Sequence, residues 1–410
     1  MKKKLCLITH NYPNDTTGDS CFIQNEIGFL AESFDVTVIC TGHAHDRQLP
    51  CTGRTRFFGF SLIKTIPYMP AFFFCREGRH EWSLIRKEKR GRFLKLKSAI
   101  REFSAAVWLE KKLRKRIADP NEYVFYSYWC DYPAIALSRL KDRYPDCRMI
   151  TRLHGFDLYE ERDRSGRQPL KWFVNEKLDR LIFIGQNPMD YYLSHHPDLH
   201  REKASLQRLG IIQIDASKAE RIDDAMLLLS CSSVIPLKRV DMIARALASC
   251  RTDVMIRWVH IGSGSDLEKV RQTAQELLSK LPHISYEFKG ALTNAQVRDF
   301  YEKTTTDCFI TTSSSEGCPV SVMEALSASV PVIGTDVGDI PYMIDHAFLL
   351  PKNPEISKVT AAIEKMYDLF LAGAAEDAEY RKLRTQARET FEELFDAEKN
   401  AGRFIRDTIL

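Results

Sequence analysis

The sequence predicts an α/β protein of two domains, each wound from alternating strands and helices. Three observations predict this. A chain of 410 residues is too long for one hydrophobic core and suits two domains of about 200 residues. Short apolar runs alternate with helical stretches in two series, and a polar span from Ile214 to Asp224 lies between them. The segment Asp307 to Met343 is the most explicit βαβ unit, with Cys308 to Thr312 and Val330 to Gly334 as buried strands around a loop and a helix.

Taken in order, Leu5 to Thr9 reads as a first buried strand, followed by a polar loop, a helix from about Phe22 to Glu32 and a second strand Val36 to Cys40. Gly18, in the loop at the first strand's carboxyl end, is either a plain turn glycine or a point where backbone approaches a sugar or phosphate. Glu122 to Ser127 is the next strand and runs into Trp129-Cys130-Asp131-Tyr132-Pro133. Arg148 to Leu153 follows and exits into His154-Gly155-Phe156-Asp157, a loop suited to ligand contact or simply to a turn. Leu181 to Ile184 closes the first series.

The second series opens with Ala225 to Ser230 and continues through Val234-Ile235-Pro236-Leu237-Lys238-Arg239-Val240-Asp241 into an amphipathic helix. Trp258 to Ile261 leaves into Gly262-Ser263-Gly264, a weak dinucleotide fingerprint because Leu267 stands where a third glycine belongs. Tyr286 to Leu292 is a short strand and turn before a helix near Gln296 to Glu302, and beyond Asp345 the chain becomes helical and charged.

Composition narrows the class. A net charge of +4 is too small to imply nucleic acid. Eleven cysteines, an odd number scattered without a CxxC pair, read as small buried hydrophobes in a reducing compartment. Met1-Lys2-Lys3-Lys4 is followed by too short an apolar run for a signal peptide, and no apolar run approaches membrane-span length. Between Phe72 and Arg116 basic residues outnumber acidic ones roughly three to one, with aromatics interleaved. That surface suits an anionic membrane face or a solvated helix pair.

The chemistry concentrates in Ser313-Ser314-Ser315-Glu316-Gly317-Cys318-Pro319-Val320-Ser321-Val322-Met323-Glu324. A helix with Pro319 as its first residue points free N–H groups at an anion. Glu316 then lies in the loop, and Glu324 about 8 Å along the helix at ~1.5 Å per residue. Two carboxylates beside an anion-binding terminus suit a central diphosphate with a polyol at each end. Glu324 is the only charge between Gly317 and Thr335, and an isolated carboxylate in so apolar a segment needs a partner.

Glu316 and Glu324, in the setting Ser-Glu-Gly-x-Pro-x-x-x-Met-Glu-Ala, resemble the paired-glutamate motif of retaining GT-B glycosyltransferases of family 4. Val234 to Asp241 resembles that family's phosphate-binding loop, His154-Gly155-Phe156-Asp157 its His-Gly-x-Asp segment, and Pro331 to Pro341 the strand and loop that close its nucleotide site. The ordered set covers nearly the whole chain and is most similar to capsular and exopolysaccharide members. The resemblance implies two Rossmann-like domains facing across a cleft. They would be an acceptor domain 1–210, a linker 211–224, a nucleotide-sugar domain 225–385, and a helix 386–410 returning to the first domain. It implies a UDP- or GDP-sugar donor, a lipid-linked or oligosaccharide acceptor, no cofactor, and a cytoplasmic protein at the inner membrane face. With no Asp-x-Asp motif in a matching loop, no metal is expected.

Carried over by position, Glu324 would bind ribose hydroxyls, Glu316 the transferred sugar, and Lys238 the diphosphate. The backbone from Gly317 through Cys318, Pro319, Val320 and Ser321 would hold phosphate or sugar, Gly290 and Ala291 the base, and His154 the reacting sugar, with Asp157, Trp129 and Asp131 on the acceptor side. Three positions depart from the pattern. Ser233 stands where an Arg is common, so Arg239 or another side chain is expected to substitute, and Asp339 and Tyr342 stand where Gly and Glu are common. These departures keep open a second reading, a GT-B-shaped partner subunit without strong catalysis.

Overall fold

A computed structural model describes residues 2–13, 22–43, 49, 51, 53–373 and 379–409. The chain forms two compact units, Met1–Leu209 with Glu398–Leu410, and Gly210–Ala397. Each contains one parallel sheet.

In the first unit the strands are β1 (Lys3–Thr9), β2 (Phe34–Cys40), β3 (Gly53–Phe57), β4 (Tyr123–Ser127), β5 (Met149–Leu153), β6 (Arg180–Phe183) and β7 (Ala204–Leu206), ordered β3-β2-β1-β4-β5-β6-β7. The central strand β1 lies in register with Val36 on one side of Leu5 and Val124 on the other. Side chains alternate, so Leu5 and Leu7 enter one core and Cys6 and Ile8 the other. Both faces are thus covered, which is why β1 reads as an unbroken apolar run. The core holding Leu5 and Leu7 is completed by Phe404, Ile405 and Ile409 from the distant C-terminal segment. Arg148 donates to the Thr408 carbonyl (2.6 Å) and Asn400 to that of Leu209 (3.0 Å), fixing the returning segment.

In that core Arg152 is almost wholly buried, paired with Glu26 at 2.5 Å and faced by the rings of Tyr126, Tyr128 and Phe404. Burial opposes the charge, yet Glu26 keeps the guanidinium pKa above its usual value.

The second unit contains β8 (Met226–Cys231), β9 (Ile256–Ile261), β10 (Ile284–Gly290), β11 (Cys308–Ile310), β12 (Val332–Thr335) and β13 (Leu349–Leu350), ordered β10-β9-β8-β11-β12-β13. The winding is that of the first sheet: from the first strand outward in one direction, then outward in the other. Residues 211–224, expected as a linker, lie inside this unit, with Ile211 and Ile214 buried. Ile211 receives its hydrogen bond from Ala397 and donates to Phe395, so the segments that enter and leave the unit are paired. A Cβ on Gly210 would come within 2.5 Å of Ala397 Cα, so this pairing admits only glycine. The short strands β3, β7 and β13 were not expected. Arg54, Thr55 and Arg56 make β3 polar and mostly exposed at the sheet edge, so hydrophobic pattern could not mark it.

Candidate active site

In the second unit β8 and β11 are neighbours from which the winding departs in opposite directions. Loops leaving such a pair diverge and open a crevice at the strands' carboxyl ends. Lys238 arrives there at the end of a short turn, Pro236–Lys238, and Glu316 in the loop after β11. The two loops are laced together. Ser314 donates to the Leu237 carbonyl from its backbone N–H (2.8 Å) and its hydroxyl (3.1 Å). The Thr312 hydroxyl donates to the carbonyls of Lys238 (3.2 Å) and Arg239 (3.0 Å). With both loops held, Lys238 Nζ meets Glu316 Oε1 at 2.5 Å, and both side chains are largely buried.

Arg239 serves this lacing. It adopts the left-handed region (φ 48°), and its guanidinium donates to the carbonyls of Thr312 (2.6 Å), Ser313 (2.9 Å) and Lys352 (2.8 Å). The residue expected to replace a phosphate cation is thus a clamp on three loops. Ser233 is exposed.

Glycines close the other sides. Gly338 has φ +56°, and a Cβ there would sit 2.4 Å from the Gly317 carbonyl and 2.6 Å from that of Glu316. Asp339, one of the departures noted above, donates its N–H to the Gly317 carbonyl at 2.7 Å. Gly264 packs so closely that a Cβ would meet the Val234 carbonyl at 2.3 Å, which gives the Gly262-Ser263-Gly264 motif a packing role. Gly290, at φ +72°, accepts from Gly262 N–H, and Ala291 beyond it is exposed.

The helix after Glu316 spans Val320–Ser327, with Pro319 in extended conformation as its N-cap rather than as its first helical residue. Cys318 and Pro319 are buried, and Gly317, Val320 and Ser321 are half-buried. Glu324 is half-buried too, and among the described residues no hydrogen bond or ion pair engages its carboxylate. Burial pushes its carboxyl up to about 8. The buried Tyr301 lies close enough for the Glu324 charge to raise its phenol further.

In the first unit the loops after β4 and β5 are tied by Asp157, whose carboxylate accepts from the N–H groups of Cys130 and His154, both at 2.6 Å. Burial pushes Asp157 up to about 7, against the pull of Lys171 and those two N–H groups. His154 packs on Trp129 with ring centroids 4.3 Å apart. Burial, then the charge of Arg152, holds its imidazole well below the ordinary value while the Tyr128 carbonyl works the other way, so the ring is neutral at pH 7. Asp131 pairs with His10 at 3.0 Å, a partner the sequence did not suggest. Glu102 completes this group: it accepts from Tyr132 N–H at 3.1 Å, and burial followed by the Asp131 charge pushes it up to about 7. Gly18 lies outside the described residues.

Residues 212–389 match the family model "Glycosyl transferases group 1". The Bacillus subtilis (strain 168) protein TuaC, named as a teichuronic acid biosynthesis glycosyltransferase, is 32% identical over 131 residues, 31% of this chain and 30% of its own. The GtfA subunit of a Streptococcus gordonii UDP-N-acetylglucosamine–peptide N-acetylglucosaminyltransferase is 25% identical over 197 residues, 46% of this chain and 37% of its own. The chain thus spans about a third of the length of the curated relatives it matches. Among solved structures, the lipopolysaccharide outer core galactosyltransferase WaaB aligns over 98% of this chain and 99% of its own at 15% identity and a TM-score of 0.66. Anabaena Alr3699/HepE, solved with UDP and glucose, aligns over 99% of both chains at 11% identity and a TM-score of 0.66. At such identities these likenesses establish the fold, which is GT-B, and the family match with the fold supports a GT-B glycosyltransferase.

Proposed function

We propose that this chain transfers a sugar from a nucleotide-sugar donor to a growing surface polysaccharide, with retention of anomeric configuration and without a metal, as in family 4. The observation that carries the proposal is the Lys238–Glu316 pair between β8 and β11. In the free protein the two charges neutralise one another. A donor diphosphate would draw Lys238 away, leaving Glu316 to accept from the hydroxyls of the transferred sugar, so one exchange of partners would serve both ends of the donor. Departure of the diphosphate builds negative charge, and Lys238 with the N–H groups at Val320–Ser321 would stabilise it. Glu324, uncommitted within the protein, would bind the ribose. The leaving phosphate would take the acceptor proton on the same face. A carboxylate engaged with the hydroxyls of the transferred sugar would not lie behind the anomeric carbon, so Glu316 is poorly placed as a nucleophile for double displacement. The named activities of TuaC and WaaB support a surface-glycan acceptor, here taken as lipid-linked.

A panel of UDP- and GDP-sugars in a thermal-shift assay tests this reading, because a ligand that binds the native state raises its melting temperature. One donor should stabilise the protein and release its nucleoside diphosphate on turnover. Absence of any shift across the panel would overturn the reading. Ser233 favours a second reading, a non-catalytic partner subunit, for which a donor would bind without turnover.

A further inference from the structure

We infer that the surface formed by residues 62–97 of the first unit docks on an anionic lipid bilayer. Half of the exposed large apolar side chains among the described residues fall between positions 62 and 94. Leu62, Ile63 and Ile66 project from a short turn of helix, Leu62–Tyr68, whose inward residue is Thr65. Phe73 and Phe74 follow the buried Phe72, and Phe93 and Leu94 open the long helix Arg92–Arg116. Phe74 is 80%, Phe93 77% and Ile63 76% exposed, which is uncommon for side chains that gain from leaving water.

The charges beside them are sorted by direction. The acidic residues of this stretch face inward or are paired: Glu77 with Arg139, Glu81 with Arg167 and the Trp172 N–H, and Glu88 with Arg167 and Lys95. The basic residues Arg86, Lys87, Lys89, Arg90, Arg92 and Lys97 remain exposed. The outer surface is therefore more positive than the sequence ratio suggests. Exposed aromatic and aliphatic side chains set among cations match an interface of anionic headgroups over acyl chains. No described helix is long and apolar enough to cross a membrane, so the contact would be peripheral.

This inference does not rest on sugar transfer, because vesicle binding is measured without a donor. Co-sedimentation of the full chain with phosphatidylcholine vesicles, and with vesicles containing phosphatidylglycerol, provides the test. The protein should pellet with the anionic vesicles only, and less so in high salt. The combined variant R86Q/K87Q/K89Q/R90Q should lower the partition coefficient about fivefold per charge removed, and F74S/F93S about tenfold per ring. All six side chains are exposed, so both variants should keep the wild-type melting temperature, and either alone can decide the matter. Wild-type protein that stays in the supernatant overturns the inference. So does equal partition of wild type and both variants, or an F74S/F93S variant that changes only from dimer to monomer in sedimentation velocity, which would assign the face to a second copy of the chain.

Discussion

In the first unit the loops leaving β1, β4 and β5 meet as a stack of rings, with His10 parallel to Tyr132 at 5.3 Å and Trp129 against His154, which follows β5. In the second, the corresponding loops after β8 and β11 meet as a lattice of hydrogen bonds to backbone carbonyls around a single ion pair. Apart from the extra edge strand β7 the strand order is the same, so topology supplies the crevice and does not decide its chemistry. Charge is also placed differently. The first unit encloses the Arg152–Glu26 pair in a core of aromatic rings, whereas the second sets Lys238–Glu316 at a loop junction.

Substitutions can break that contrast. Arg152→Ala leaves Glu26 without its partner in the core and should cost about 3–5 kcal/mol, read by denaturant unfolding. Donor affinity of the folded fraction should be unchanged, and a matching loss of affinity would abolish the division between the units. Lys238→Ala should lower transfer about 10²–10³-fold while far-ultraviolet circular dichroism keeps its shape. Unchanged turnover in both Lys238→Ala and Glu316→Ala would remove the pair from the reaction.

Smaller effects sharpen the comparison. Gly338→Ala places a methyl against the Glu316 and Gly317 carbonyls at a positive φ, and should cost about 1–3 kcal/mol with a parallel loss of donor affinity. Calorimetry of the variant with and without donor separates the two. Glu324 tests the electrostatics. Its carboxyl titrates at about 8 in the folded protein against an ordinary 4.5, so between these values the folded state keeps a proton that the unfolded state has lost. Stability should therefore fall as pH rises through that window. Glu324→Gln cannot titrate and should gain on the wild type toward pH 8 by about 1–2 kcal/mol, allowing for the screening of a partly exposed group. A constant difference across the window would contradict the burial of that carboxyl.

The elements of the candidate site were legible because their signals are local. Lys238 and Glu316 follow apolar runs whose strand character the composition declares, Glu324 lies on the helix between two such runs, and the alternation of those runs marks both sheets. What stayed hidden depends on direction and on distant partners. Nothing in Val234 to Asp241 shows that Arg239 turns back onto Thr312 and Lys352 while Lys238 faces the crevice. The basic segment was visible as a composition, yet the inward turn of Glu77, Glu81 and Glu88 follows from partners distant in sequence, Arg139 for the first and Arg167 for the other two. His10 and Glu102 lie far from Asp131 in sequence, and Gly338 owes its necessity to a loop approaching from another strand.

The return of residues 398–410 to the first unit bears on the order of events at synthesis. Everything in the second unit, Gly210–Ala397, leaves the ribosome before Phe404 and Ile409 do. Until then the core around Leu5, Leu7 and Tyr126 lacks its last covering and the Arg152 guanidinium lacks one of its three rings. The core of the half made first therefore cannot close until all of the second unit has been made, and a nascent chain stalled before Phe404 would leave that core unsealed.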